Sequence, residues 1–400
     1  MKKIIIVAND MEIGGAERAL LGLLDAFDTD KYKIDLFLLR HDGPFMEFIP
    51  EKINLLPEKK FYADLAIPLT EVLKRKHFRM FFLRVLGKIS ACLYIKKKRL
   101  SNQNSVQINY SYKYTRKIFG KISDEIYDLA LGFSVPYYIV DEKIKAKYKV
   151  GWIHTDYSKL DGDRDEEIKV WSAYSKIVSI SDAVTESFIK KYPELENRII
   201  LIENIISEKM IWEQANKRIN KKEMNKNGNE TILLSIGRFC EAKNFDNIPE
   251  ICKFIKEENI NIKWYLIGYG GTENIIRSKI KEYGVEKEVK ILGKKINPYP
   301  YIKKCDIYVQ PSRFEGKAVT VREAQILCKP VIITDFATAQ SQLENGVDGI
   351  IVPMNNKECA DGIINVIKDT KLQEKLIENC RKRDYSNQKE VEKIYHLMGD

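Results

Sequence analysis

The stretch Ile307-Tyr308-Val309-Gln310-Pro311-Ser312-Arg313-Phe314-Glu315-Gly316-Lys317-Ala318-Val319-Thr320-Val321-Arg322-Glu323 decides the fold. Ile307 to Gln310 has the form of a short buried strand, ended by Pro311. A helix is expected to begin near Val319, which puts Glu315 and Gly316 in a strand-to-helix loop. In open α/β sheets such loops lie at the carboxyl edge where ligands bind. The unbonded N–H groups of the helix start then offer an anion site suited to a diphosphate. Gly316 lets the backbone approach closely. Glu315 and Glu323 make electrostatic sense beside such a site as acceptors for hydroxyl hydrogen bonds, the means by which proteins hold ribose and hexose.

The same grammar runs outward in both directions. Apolar runs alternate with stretches of helical period, the sequence form of βαβ units and a parallel sheet. On the amino-terminal side, strands are expected at Lys3 to Val7, Ile34 to Leu39, Ile126 to Gly132, Val150 to Ile153, Ile177 to Ile180 and Ile199 to Ile202. A second series comprises Thr231 to Ile236, Lys263 to Ile267, Val289 to Leu292, Ile307 to Gln310, Val331 to Thr334 and Gly349 to Val352. Between them, Glu208 to Glu230 is polar and reads as a linker. The fold class is therefore α/β, with two doubly wound domains at 1–207 and 231–385 and a terminal helix within 386–400.

A chain of 400 residues suits two such cores. The basic start Met1-Lys2-Lys3 is followed by an apolar run of only strand length, so export is not expected. Seven Cys without paired spacing read as reduced, buried thiols. The net charge of +10 points to an anionic partner. No nucleic-acid reading element is present, which sets that partner class aside.

Three further clusters sit where chemistry is expected. Gly237-Arg238-Phe239-Cys240-Glu241-Ala242-Lys243 follows a strand, so Arg238 and Lys243 are placed to neutralise a departing diphosphate; an ordinary surface turn is the alternative. Gly14-Gly15-Ala16-Glu17 opens a helix and permits close backbone approach, although a simple tight turn fits as well. His154-Thr155-Asp156 follows Val150 to Ile153, and His154 is the best placed of the four His to polarise an acceptor hydroxyl; a structural imidazole is the alternative. No His-ligated metal is expected.

One segment, about 65–122, breaks the pattern. No acidic residue lies between Glu71 and Lys121, whereas Lys74, Arg75, Lys76, Arg79, Arg84, Lys88, Lys96, Lys97, Lys98 and Arg99 crowd together. Phe78, Phe81, Phe82, Val85, Leu86, Ile89 and Leu93 recur among them at helical spacing. This basic amphipathic helical insertion is expected either to lie on an anionic membrane surface or to pack as ordinary helices with a solvated cationic face.

The order Gly14-Gly15-Ala16-Glu17, His154, Gly237-Arg238 with Lys243, Glu315 and Glu323 with seven residues between, and Gly346 with Gly349 resembles the retaining glycosyltransferases of the GT-B fold that build bacterial capsule, teichoic acid and lipopolysaccharide. The resemblance implies two Rossmann-like domains. It implies that Arg238 and Lys243 bind the donor diphosphate, and that Glu315, Gly316, Lys317 and Ala318 bind the sugar. Val319 and Thr320 would offer amides to the phosphate and Glu323 would hold the ribose. Gly268 and Gly293 would border the nucleoside. Gly14, Gly15, His154 and Asp156 would lie on the acceptor side, with Gly15 also bordering the donor. By the same resemblance no cofactor or metal is required, and the terminal helix crosses back to the first domain.

The substrates so implied are a nucleotide-sugar, a UDP-sugar foremost, and a glycan or polyprenyl-linked acceptor handled in the cytoplasm at the inner face of the cell membrane. Asn204-Ile205-Ile206, Lys329 and Phe336 to Gln340 depart from the family pattern, and these positions bear on sugar identity. A catalytically silent sugar-binding or chaperone subunit of the same fold is the alternative. A nucleotide-sugar epimerase fits less well, because its expected carboxylate and His pattern is not evident.

Overall fold

The computed structural model describes residues 1–100, 104–133, 137–220, 223–226, 228–315 and 318–398. The chain divides into two compact units, Met1–Ser207 with Asn387–Asp400, and Glu208–Ser386.

The first unit is built on β1 (Lys2–Ala8), β2 (Tyr32–Leu38), β3 (Asn54–Leu55), β4 (Ile126–Phe133), β5 (Lys145–Ile153), β6 (Lys176–Ser179) and β7 (Ile199–Leu201). They form one sheet in the order β3-β2-β1-β4-β5-β6-β7, with every neighbour parallel. Ile4, Ile5, Ile6 and Val7 are all fully buried, as a strand covered on both faces requires. The edge strand β3 has no counterpart in the sequence reading, since two residues leave no periodic trace. The helix Asp182–Lys191 is capped by Ser181, whose hydroxyl accepts from the Val184 N–H.

The last segment of this unit is the helix Glu390–His396. Tyr395 stacks on Tyr32 at 4.2 Å between ring centroids, and its hydroxyl accepts from the Asp28 N–H at 2.9 Å.

The second unit contains β8 (Thr231–Ile236), β9 (Ile262–Ile267), β10 (Val289–Gly293), β11 (Ile307–Gln310), β12 (Val331–Thr334) and β13 (Ile350–Val352). They pair in parallel in the order β10-β9-β8-β11-β12-β13. In the helix Ile248–Glu257, Ile248, Ile251, Cys252 and Ile255 are buried at helical spacing against this sheet. At the sheet centre the buried Ser235 hydroxyl donates to the Val309 carbonyl at 2.6 Å and accepts from Trp264 Nε1 at 2.9 Å, so no polar atom there is stranded.

Two expectations are corrected. Glu208 to Glu230, expected as a linker, opens with the helix Glu208–Ala215, because Ile211 and Ala215 are buried and the helix packs on Tyr299–Lys304. Arg84, counted with the cationic face of the insertion, turns inward and donates to the carbonyls of Ile67, at 2.7 Å, and Asp64. The insertion itself is helical, as Leu69–Lys74, Phe78–Lys98 and Asn104–Thr115.

Candidate functional site

In both sheets the chain order reverses at one seam, between β1 and β4 and between β8 and β11. The carboxyl end of such a seam is where open α/β sheets bind ligands. In the second unit, the two segments singled out in the sequence leave that seam: Gly237 to Lys243 follows β8, and Pro311 to Ala318 follows β11.

Backbone hydrogen bonds lace these loops together. Arg313 N–H donates to the Ala242 carbonyl at 2.9 Å, Gly237 N–H to Ile267, Phe239 N–H to Tyr269 and Gly268 N–H to Gly293. Close approach explains Gly268: its φ is +155°, and a Cβ there would lie 1.9 Å from the Gly237 carbonyl oxygen.

Lys243 and Glu315, 72 residues apart in sequence, meet at the centre of this edge. Lys243 Nζ donates to both carboxylate oxygens of Glu315, at 2.5 and 2.7 Å. Oε1 also accepts from the Ser312 hydroxyl at 2.6 Å and from Gln310 Nε2 at 3.2 Å. Gln310 and Ser312 are thus site residues to which the sequence reading gave no role, although both stand in the quoted stretch. Thr338 was also missed; its hydroxyl donates to the Glu315 carbonyl at 2.8 Å. Among the described residues the Lys243 ammonium is the only partner of Oε2.

Arg238 is exposed and makes no hydrogen bond or ion pair among the described residues. The helix Val319–Ile326 begins where expected. The Ala318 amide, expected to face the sugar, is occupied by Gln342 Oε1 at 2.8 Å, and the Thr320 hydroxyl reaches Gln310 Oε1 at 3.4 Å. The N–H groups of Val319 and Thr320 open the helix, where no intrahelical acceptor exists for them. Glu323 is buried and accepts from the Tyr299 hydroxyl at 2.9 Å. Gly293 adopts φ +71° with open space around its α-carbon. Gly316 and Lys317 lie outside the described residues.

The first unit carries the remaining candidates. Gly14 is the extended cap of the helix Gly15–Ala26, and the Glu17 carboxylate folds back over it, occupying the place of a Cβ. Burial pushes the Glu17 carboxyl up from its ordinary value, helped by Asp10 and Glu12. Gly15 has nothing within 4 Å of a Cβ position. Asp156 serves as a cap, accepting from Ser158 N–H at 2.9 Å and from the Ser158 hydroxyl at 2.6 Å. His154 leaves β5 beside Phe133, 4.4 Å between centroids, and both ring nitrogens are buried without a hydrogen-bond partner among the described residues. Burial lowers its pKa from 6.5 to about 4, so it is a neutral imidazole near pH 7.

Among the described residues no group of three or more His, Cys, Asp and Glu is placed to hold a metal ion. No described helix is long and apolar enough to cross a membrane.

Two doubly wound sheets define a protein of the two-Rossmann-domain GT-B class. Residues 216–383 match the family described as glycosyl transferases group 1. It is similar to the capsular polysaccharide biosynthesis glycosyltransferase CapM of Staphylococcus aureus, 28% identical over 58% of this chain and 64% of the relative. It is also similar to the UDP-Gal:alpha-D-GlcNAc-diphosphoundecaprenol alpha-1,3-galactosyltransferase of Escherichia coli, 24% identical over 43% of this chain and 46% of the relative. The matched stretches thus span less than two thirds of these curated relatives. Among solved structures, S. aureus TarM in complex with UDP, alpha-GlcNAc-glycerol and fondaparinux shares the fold, with a TM-score of 0.64, 14% identity and full coverage of both chains.

Proposed function

We propose that this protein transfers a hexose or N-acetylhexosamine from a nucleotide-sugar, a UDP-sugar foremost, to a glycan or polyprenyl-linked acceptor in cell-envelope polysaccharide synthesis, with retained configuration. The work is done in the cytoplasm, at the inner face of the cell membrane. The observation that carries the reading is the Lys243–Glu315 contact at the β8/β11 seam, which joins a cation for the diphosphate to a carboxylate for the sugar.

In this reading Lys243 and Arg238, rather than a protein-held metal, stabilise charge as it grows on the departing phosphate. The bond from the anomeric carbon to the phosphate oxygen breaks, and the acceptor oxygen bonds to that carbon on the same face. The acceptor proton passes to the leaving phosphate oxygen. When the diphosphate draws Lys243 away, Glu315 is freed to accept from sugar hydroxyls. Val319 and Thr320 amides hold phosphate oxygens and Glu323 the ribose. Gly268 and Gly293 border the base. Gly14, Gly15 and neutral His154 face the acceptor, with His154 accepting from an acceptor hydroxyl other than the attacking one. Relatives named for capsule and diphosphoundecaprenol chemistry support this choice of acceptor class.

The test is incubation with UDP-glucose, UDP-galactose, their N-acetylamino forms and GDP-mannose, following release of the nucleoside diphosphate. Hydrolysis of one donor, abolished by Glu315→Ala, is expected. A protein that binds and cleaves none of them is a silent subunit, and the reading falls.

A further inference from the structure

The Phe78–Lys98 helix is amphipathic in the reverse sense from a core helix. Its inward residues are small or few: Gly87 and Ala91 are buried with Met80 and Ile95. A Cβ at Gly87 would lie 2.9 Å from the Tyr110 carbonyl oxygen, so this glycine lets the helix close on Asn104–Thr115. The bulky residues point the other way. Phe78, Phe82, Leu86, Ile89 and Leu93 are all exposed, Phe82 at 63% and Leu93 at 66%. Spaced by four, four, three and four residues, they form one stripe along the solvent side.

Cations border that stripe. Lys76, Arg79, Lys88, Lys96, Lys97, Lys98 and Arg99 are exposed and none forms an ion pair among the described residues. Lys74 and Arg75 are the exceptions, engaged by Glu71 and Asp64. No Asp or Glu occurs from 72 to 123. The hairpin is held to its own unit by the opposite helix: Tyr110 hydroxyl donates to Asp163 at 3.0 Å, Lys113 to Glu166 at 2.7 Å and Asn109 to Glu167 at 3.2 Å. The exposed side is therefore fixed in orientation.

We infer that the Phe78–Leu93 stripe is a membrane-docking surface that inserts into the headgroup boundary of an anionic lipid bilayer, with the flanking lysines on the lipid phosphates. A second copy of the chain would bring the same uncompensated cations face to face, whereas an anionic bilayer neutralises them while burying the phenylalanines. The inference rests on the lipid-linked acceptor reading only for its purpose, since docking needs neither donor nor acceptor.

The test is cosedimentation of the full chain with vesicles of phosphatidylcholine alone and of phosphatidylcholine with phosphatidylglycerol. Binding to the anionic vesicles, weakened by salt, is expected. Phe82→Glu with Leu93→Glu should lower partitioning at least tenfold. Lys96→Gln, Lys97→Gln and Lys98→Gln together should lower it about a hundredfold, at about fivefold per cation. Because these side chains are exposed, both variants should melt as the parent does, and nucleoside diphosphate release in solution should be unchanged.

Equal binding to neutral vesicles, no binding to either, or parental binding by the double variant would overturn the inference. So would a parental dimer that the double variant disperses, which would assign the stripe to a second copy. If vesicles are bound but no donor is ever cleaved, the proposed activity fails while the docking surface stands.

Discussion

Replacing Lys243 by alanine separates a structural task from a chemical one. In the free protein Glu315 Oε1 keeps Ser312 and Gln310 as donors, but Oε2 loses its only partner among the described residues. Stranding one oxygen of a buried carboxylate costs about 2 kcal/mol, less than the 3–5 typical of a fully broken buried pair because half of the donor set remains. For a unit of this size that is a fall in Tm of about 5 °C. Losing a preorganised cation from the leaving diphosphate costs a further ~3 kcal/mol in the transition state, or about 10²–10³ in kcat.

Calorimetry and nucleoside diphosphate release, measured on Lys243→Ala and on Lys243→Ala with Glu315→Gln, tell the two apart. The amide removes the stranded charge, so the double variant should regain much of the Tm and none of the turnover. Arg238→Ala is the companion: an exposed arginine without a partner among the described residues should cost no stability and at least tenfold in kcat/KM. Turnover that stays at the parental level in Lys243→Ala, or returns together with Tm in the double variant, would refute the assignment of Lys243 to the diphosphate.

Gly268→Ala places a Cβ against backbone and forces a positive φ on an L residue, so it should destabilise by ~2 kcal/mol or more and weaken nucleotide binding; a urea melt checks this. Gly15→Ala meets nothing, so stability should hold while transfer to acceptor falls about tenfold if the backbone is approached there; an unchanged rate leaves Gly15 a plain turn residue. His154 has a folded pKa of about 4 against 6.5, so the unfolded chain takes the proton first. Its contribution is complete above pH 6.5 and is lost as pH falls toward 4, about 3 kcal/mol in all. His154→Phe should flatten that acid limb in urea midpoints, and the parent enzyme should show no loss of activity with a midpoint near 6.5.

The sheet strands were legible because parallel strands buried on both faces are written as unbroken apolar runs, so Ile4 to Val7 and Ile307 to Gln310 announce themselves. What escaped was set by tertiary contact. The helix Glu208–Ala215 hides in a polar stretch because its buried face is marked only by Ile211, Ala215 and the polar Gln214. Arg84 has the same chemistry in the sequence as its exposed neighbours, and only the carbonyls of Asp64 and Ile67 distinguish it.

In the site, Lys243 and Glu315 were legible as residue types at the ends of strands. Their contact with each other, and that of Glu315 with Gln310 and Ser312, was not, since side-chain direction at a strand end depends on register. The outward turn of Phe82 and Leu93 was equally hidden, because periodicity identifies a stripe without saying which side is covered.

The stacking of Tyr395 on Tyr32 has a consequence for biosynthesis. A ribosome delivers the segment from Asn387 onward only after the whole of Glu208–Ser386 has emerged, yet that segment belongs to the first unit. Until then Tyr32 and Phe27 lack their aromatic cover, so the first-made half of the molecule is the last to be finished. A nascent chain arrested shortly before residue 387 should therefore present a sticky face to chaperones even when both sheets have formed.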